Sequence, residues 1–323
     1  MHRTLFIALA VLSLILGDDA LSQETYPSRP IRIVVPFTPG TGIDILARTL
    51  GQRVAEDWKV AVVVDNRPGA SGNIGTDAVA KATPDGYTLL MTANTIVLNR
   101  SLFETIPYDP IRDFAPIAPL AIGRLALVTH PSLGVKSVKE LVDKVKASPG
   151  TINYGSPGNG TPHHLAMELF KSTAGINVVH VPYKGTAGAV QDLLGGQIQV
   201  MFLPVHVALA QVEAGKLVML AAGGTQRASA TPNVPSLAEA IGVRDIDTDI
   251  WYGLYAPRGT PTDIVKKMNG AMNDKLRNAE VVDTLAKQGL QVTGGSPEDL
   301  DRITKTDLER WSKVVRAAGI KAD

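Results

Sequence analysis

The chain has 323 residues, 45% of them hydrophobic, and its Lys and Arg balance its Asp and Glu to a net charge of +1. That length provides for two domains of ordinary size, and an even charge without a basic block speaks against nucleic acid as a partner. There is no cysteine, which removes thiol catalysis, Cys-based zinc sites and iron–sulfur clusters.

In chain order, Arg3 precedes an apolar stretch from Leu5 to Gly17, and Ala20-Leu21-Ser22 then sets small residues before Gln23. This is the pattern of a secretory signal peptide, residues 1–22. A membrane anchor is the competing reading, but the stretch falls short of the roughly 20 residues that span a bilayer. The chain is therefore expected to be exported. A chain of this size buries enough core to dispense with disulfides.

Ile31–Val35 reads as a strand, followed by Ile45, Leu46, Leu50 and Val54 at helical spacing. Residues 61–65 (strand), 74–82 (helix) and 87–91 (strand) continue the alternation. Further strands are expected at 125–129, 152–154, 178–181, 200–202 and 217–222, with helices at 138–147, 162–174 and 187–194. From Pro261 onward the pattern is mostly helical. Alternating strands and helices imply parallel sheets covered on both faces.

Two loops match. PFTPGTGID (36–44) and GSPGNGTPHH (155–164) each follow a short strand, are rich in Gly, Pro and small hydroxyls, and open a helix. A helix N-terminus has unpaired N–H groups and a partial positive charge, so it suits an anion. A matched pair, one in each half, suggests two jaws on one anionic ligand. Ser71, Asn94 and the run Tyr183-Lys184-Gly185-Thr186 lie on further loops that could complete the wall. Asp44 at a helix start is simplest as a cap; facing inward, it would meet a ligand amine, hydroxyl or water. Of the adjacent His163 and His164, one can line the cleft while the other packs or caps. His206 follows the strand at 200–202 and could also face the cleft.

Other chemistries fare worse. Gly40 and Gly42 with Asp65 imitate a dinucleotide fingerprint, but its third glycine position is Ile45 and Pro36–Pro39 lengthen the turn. Ser71 lacks the final glycine of a nucleophile elbow. His163 and His164, being adjacent, point to different sides of a helix and form no metal face. No catalytic residue, metal or cofactor is expected.

The stretches YPSRPIRIVVPFTPGTGIDILAR, NRPGASGNIGTDAVAKATPDGYTLL, PYDPIRDFAPIAPL, YGSPGNGTPHHLAMELF, VPYKGTAGAVQDLLGGQIQVMF and WYGLYAPRGTP run in order over nearly the whole chain beyond residue 22. Together they resemble the Bug family, periplasmic substrate-binding proteins of tripartite tricarboxylate transporters. The resemblance implies an α/β, two-domain periplasmic-binding-protein (Venus-flytrap) fold, each domain a mostly parallel sheet flanked by helices. It implies domain one at 23–123 plus 247–323 and domain two at 124–246. It also implies a carboxylate gripped by Phe37, Thr38, Gly40, Thr41, Gly42, Ile43 and Asp44 from one jaw. Ser156, Gly158, Asn159, Gly160, Thr161 and His164 form the other. The implied activity is capture and delivery to membrane transporter subunits, by a monomer. An exported α/β enzyme and a sensor's ligand-presenting partner are the alternatives. Two departures stand out: Ile43 and Leu203 occupy positions where the family commonly has Thr and Asp. If both side chains face the cleft, they favour an acid with an apolar body.

Overall fold

The computed structural model describes residues 25–244 and 246–318; the expected signal peptide lies outside them. Two sheets organise the chain. The first has the order β11-β4-β10-β3-β1-β2 and the second β7-β6-β8-β5-β9. In the first are β1 (Ile31–Val35), β2 (Val62–Asn66), β3 (Thr88–Ala93), β4 (Phe114–Gly123), β10 (Ile250–Pro257) and β11 (Leu290–Val292). In the second are β5 (Leu125–Thr129), β6 (Asn153–Ser156), β7 (Val179–Pro182), β8 (Val200–Pro204) and β9 (Val218–Ala222).

The alternation expected from the sequence holds, with one correction. β1, β2 and β3 are parallel, as are β6, β7 and β8, but β10 and β5 lie antiparallel to both of their neighbours. The reason is the route of the chain. β4 ends at Gly123 and β5 starts at Leu125, so the chain enters the second sheet at the edge where β8 leaves it, and Leu125 pairs with Pro204. On return, Ile250 enters beside Gly123. A strand arriving at the edge where its neighbours end must run against them. The facing edges of the two sheets are thus the C-terminal ends of most strands, which is where open α/β sheets bind ligands.

Helices pack by their apolar stripes. In α1 (Gly42–Trp58), Ile43, Leu46, Ala47, Leu50 and Val54 are buried, the spacing of one helical face. Gly51 lets this helix approach β2, since a Cβ there would stand 3.0 Å from Val62. The other helices are α2 (Asn73–Ala80), α3 (Thr95–Leu102), α4 (Val138–Ala147), α5 (Pro162–Ala174) and α6 (Thr186–Leu194). They continue with α7 (Val205–Glu213), α8 (Leu237–Ile241), α9 (Thr262–Leu276), α10 (Ala279–Lys287) and α11 (Pro297–Ala318). The sequence pattern alone does not separate α3, α7, α8, β4 or β11.

Among the described residues, contacts of three kinds stand out between the halves. At the crossing strands, Arg124 pairs with the buried Asp249. Burial and the charge of Asp247 push the Asp249 carboxyl up to about 7, against the pull of Arg124. Near the C-terminus, Trp311 and Val315 of α11 join Leu98 and Leu102 of α3 around Leu165 of α5. The third contact lies between the loops at the facing edges.

Candidate functional site

The six helices that open at the facing edges, α1, α2, α3, α5, α6 and α7, begin without a side-chain cap, as does α9 elsewhere. By contrast α4, α8 and α10 are capped by Ser137, Ser236 and Asn278. An uncapped start leaves its first N–H groups to other partners.

The first loop is held from inside. Asp44 accepts hydrogen bonds from the Gly40 N–H (2.9 Å), Arg48 Nε (3.0 Å) and Asn66 Nδ2 (2.9 Å). Asn66 also donates to the Phe37 carbonyl, and Thr41 Oγ1 to the Thr38 carbonyl. Burial alone would raise the Asp44 carboxyl, but the bonds from Arg48, Gly40 and Asn66 outweigh it and hold it low. Asp44 therefore does not present itself to a ligand as a free carboxylate: it braces the loop. Phe37 lies against Gly72, where a Cβ would meet the ring at 3.3 Å. Thr38 and Gly40 are exposed at the loop tip, and Thr41 and Gly42 are half-buried behind them.

The second loop is braced by aromatic rings. Gly160 N–H donates to His164 Nδ1 at 3.1 Å, which places the His164 ring proton on Nε2. His164 stacks on His180 (centroids 4.2 Å apart), which stacks on Tyr154. His180 Nε2 lies 2.7 Å from Ser156 Oγ, and that hydroxyl accepts from the Gly158 N–H and donates to the Gly158 carbonyl. Burial, then the neighbouring His164 and Lys171, push His180 down to about 3. Thr161 Oγ1 donates to the Gly158 carbonyl. His164, expected to touch ligand, is thus spent on the loop's own backbone.

His163 differs. Both of its ring nitrogens are buried, and neither bonds to any described residue. Burial pushes it down to about 4.

The second loop meets the turn Ala70–Gly72. Ser71 Oγ donates to the Asn159 carbonyl at 2.7 Å. Ser71 and Ala70 both have left-handed backbone, with φ of 54° and 46°, a conformation costly for residues with a side chain. The Ser71 carbonyl is fixed by Asn99 Nδ2. Gly160, itself at φ 74°, lies where a Cβ would be 3.1 Å from Leu102. Asn94 is buried at the end of β3; its Nδ2 reaches the Asp249 carbonyl at 3.4 Å, while its Oδ1 bonds to no described residue.

Other expected residues fall elsewhere. Ile43 is 3% exposed and Leu203 0%, each closed within a hydrophobic core. Neither faces the cleft, because the residue before the helix-bracing Asp44 falls on the helix's inner face and Leu203 sits inside β8. Their expected bias toward an apolar acid is withdrawn. The Tyr183 hydroxyl is turned onto Asp192 of α6, and with burial this pushes it up to about 12. Lys184 is exposed and Thr186 opens α6. His206 packs on Gly289, at the crossing-strand end rather than at the jaws. A cavity of about 210 Å³ lies at that same end, lined by Arg124, Val205, Gly289 and Leu290 among others and by none of the jaw residues. A larger cavity of about 410 Å³, lined by Asn269, Asn273, Thr293 and Gly294 among others, also includes no jaw residue; the braced loops, not cavity size, select the jaws. Among the described residues no group of His, Asp and Glu could hold a metal ion.

Comparison with known proteins agrees with this geometry. The family described as tripartite tricarboxylate transporter family receptor matches residues 46–320. Protein BugT of Bordetella pertussis is 35% identical over 319 residues, 97% of this chain and 98% of its own. The structure of Rpa4515 of R. palustris with adipate has a TM-score of 0.86 at 36% identity, covering 92% of this chain and 99% of that one. MatC from Rhodopseudomonas palustris with bound malate has a TM-score of 0.82 at 29% identity, covering 90% of this chain and 100% of that one. These likenesses cover both sheets.

Proposed function

Since this chain belongs to the tripartite tricarboxylate transporter receptor family, we propose that it captures a small organic carboxylate between its two sheets in the periplasm. It then delivers the acid, unchanged, to the membrane subunits of a tripartite-type transporter. The observation that carries this is the contact across the two sheets between the second jaw and the turn Ala70–Gly72, through Ser71 and Asn159, with Phe37 of the first jaw lying against Gly72 of that turn. The two jaw loops, 36–44 and 155–164, each lead into an uncapped helix whose N–H groups suit a carboxylate. Thr38, Gly40, Gly42, Gly158, Gly160 and Thr161 then form the grip. The bound adipate and malate of the relatives make dicarboxylates the first acids to try.

On this reading residues 1–22 are the signal peptide and the chain acts as a monomer. Domain one comprises 23–123 and 247–323, domain two 124–246, and the Arg124–Asp249 pair marks the hinge. The test is a thermal-shift screen of residues 23–323 against adipate, malate, succinate, citrate, aspartate and glutamate. A ligand at 100 times its Kd adds about 2.7 kcal/mol of stability. Recovery of the acid unaltered after incubation separates a receptor from an enzyme; turnover, or no stabilisation by any acid, overturns the proposal.

A further inference from the structure

Helix α5 divides its residues among three directions. Leu165 faces α3 and α11. His164 faces the rings of Tyr154 and His180. Met167 and Phe170 are buried in the core that also holds Phe202 of β8. His163 precedes Met167 by four residues and Phe170 by seven, so it lies on their face. It sits in the first turn, nearest the edge where β6 and β8 end. There the uncapped N-terminus of α5 and two buried, unbonded ring nitrogens coincide. Tyr, His and Ser groups nearby are tied to one another, but His163 is not. Two buried ring nitrogens left without partners are costly, and such groups call for an explanation.

We propose that His163, rather than His164, is the α5 side chain that binds the ligand, and that it selects a 2-hydroxy acid. The inference rests on the carboxylate reading above. A neutral imidazole offers one N–H donor and one acceptor nitrogen. The donor meets a carboxylate oxygen already held by the N-terminus of α5. The acceptor takes the hydrogen of a hydroxyl on the adjacent carbon. An acid without that hydroxyl leaves the acceptor unpaired, and a site that hydrogen-bonds a hydroxyl rejects the analogue lacking it. Burial keeps the ring neutral across the physiological range, as this pairing requires.

Malate and succinate differ by that one hydroxyl and make the probe pair. The wild type is expected to bind malate at least about tenfold more tightly than succinate. His163→Leu should lose roughly ten- to hundredfold in malate affinity and lose the preference. Its ligand-free unfolding temperature should be unchanged or higher, because the apolar side chain leaves no unpaired nitrogen. His163→Gln, which keeps a donor and an acceptor, should recover part of the malate affinity. Calorimetric titration and thermal unfolding read all of this. Unchanged malate affinity in His163→Leu, or a lower unfolding temperature for it, overturns the inference by showing a packing role. Equal binding of malate and succinate by the wild type, or binding of another acid but neither of these, overturns it as well. If no acid of the wider panel binds the wild type, the carboxylate reading itself falls and the inference with it.

Discussion

Asp44 shows how much one carboxylate can organise. It lies in the first turn of α1, where the helix dipole favours an acid. It also ties Gly40, Arg48 and Asn66 into a single cluster. Replacing it by Asn removes the charge and part of the acceptor capacity, so stability should fall by about 1.5–3 kcal/mol, the range for bonds to a charged group. Urea unfolding at pH 7 measures it, and a loss within 0.5 kcal/mol would show that the cluster is dispensable. The pH dependence has a definite sign. The folded carboxyl is held low, so its contribution is complete above the ordinary Asp value near pH 4 and fades only as pH falls through the lower folded value. The variant should lack that acid-limb loss. The sequence announced Asp44 as a helix-start acid, but not the Asn66 and Gly40 that consume it. The same limit misplaced Ile43: composition shows an apolar residue in a polar loop, and only the helix phase shows that it points to the core.

At the scale of elements, the loop between β6 and α5 is a backbone feature fixed by neutral rings. His180 reaches Ser156, which pins both polar groups of Gly158, and His164 pins Gly160. A protonated His164 has no lone pair on Nδ1 for the Gly160 N–H. The His180 ring is pushed down to about 3, whereas an unfolded chain would titrate it near 6.5. Because the folded value is depressed, its stabilising contribution is full above about pH 6.5 and is lost as pH falls toward the folded value. His180→Gln removes that titration, so the stability difference between pH 7 and pH 5 should shrink, by less than the full shift implies because the ring is only partly buried and solvent screens it. Urea midpoints at the two pH values check it; an undiminished difference would mean that other groups govern acid sensitivity. How the elements could be read before the fold was known is uneven. Strands such as Ile31–Val35 and Leu125–Thr129 are continuous apolar runs and were legible. β4 carries Pro116 and Pro119 within its ten residues, which masks it, and three-residue β11 is too short for any periodicity. The jaw loops were legible because glycine, proline and hydroxyls recur after both strands. Which of His163 and His164 faces the ligand was not, since adjacent helix positions differ by a third of a turn and only packing sets the zero.

For the whole molecule, the question is what holds the two sheets at this angle. Beside the hinge and the Ser71–Asn159 bond, the apolar cluster around Leu165 also joins them. Leu165 is fully buried against Leu98, Leu102, Trp311 and Val315, all from elements on the first sheet. If the sheets part to admit a ligand, that side chain is exposed, at a cost of about 1.5–3 kcal/mol. The cluster thus favours the closed arrangement without touching the jaws' polar groups, and it sets part of the balance that ligand binding shifts. Leu165→Ala should remove about 2 kcal/mol of that bias, moving the equilibrium toward the open form by more than tenfold. Where closure is required for tight binding, affinity falls by the same factor, because only the competent fraction binds. Small-angle scattering of ligand-free protein should show a larger radius of gyration in the variant than in the wild type, and saturating ligand should bring the two together. Equal radii without ligand, with affinity unchanged, would mean that Leu165 stays covered throughout and that the sheets do not separate along this seam.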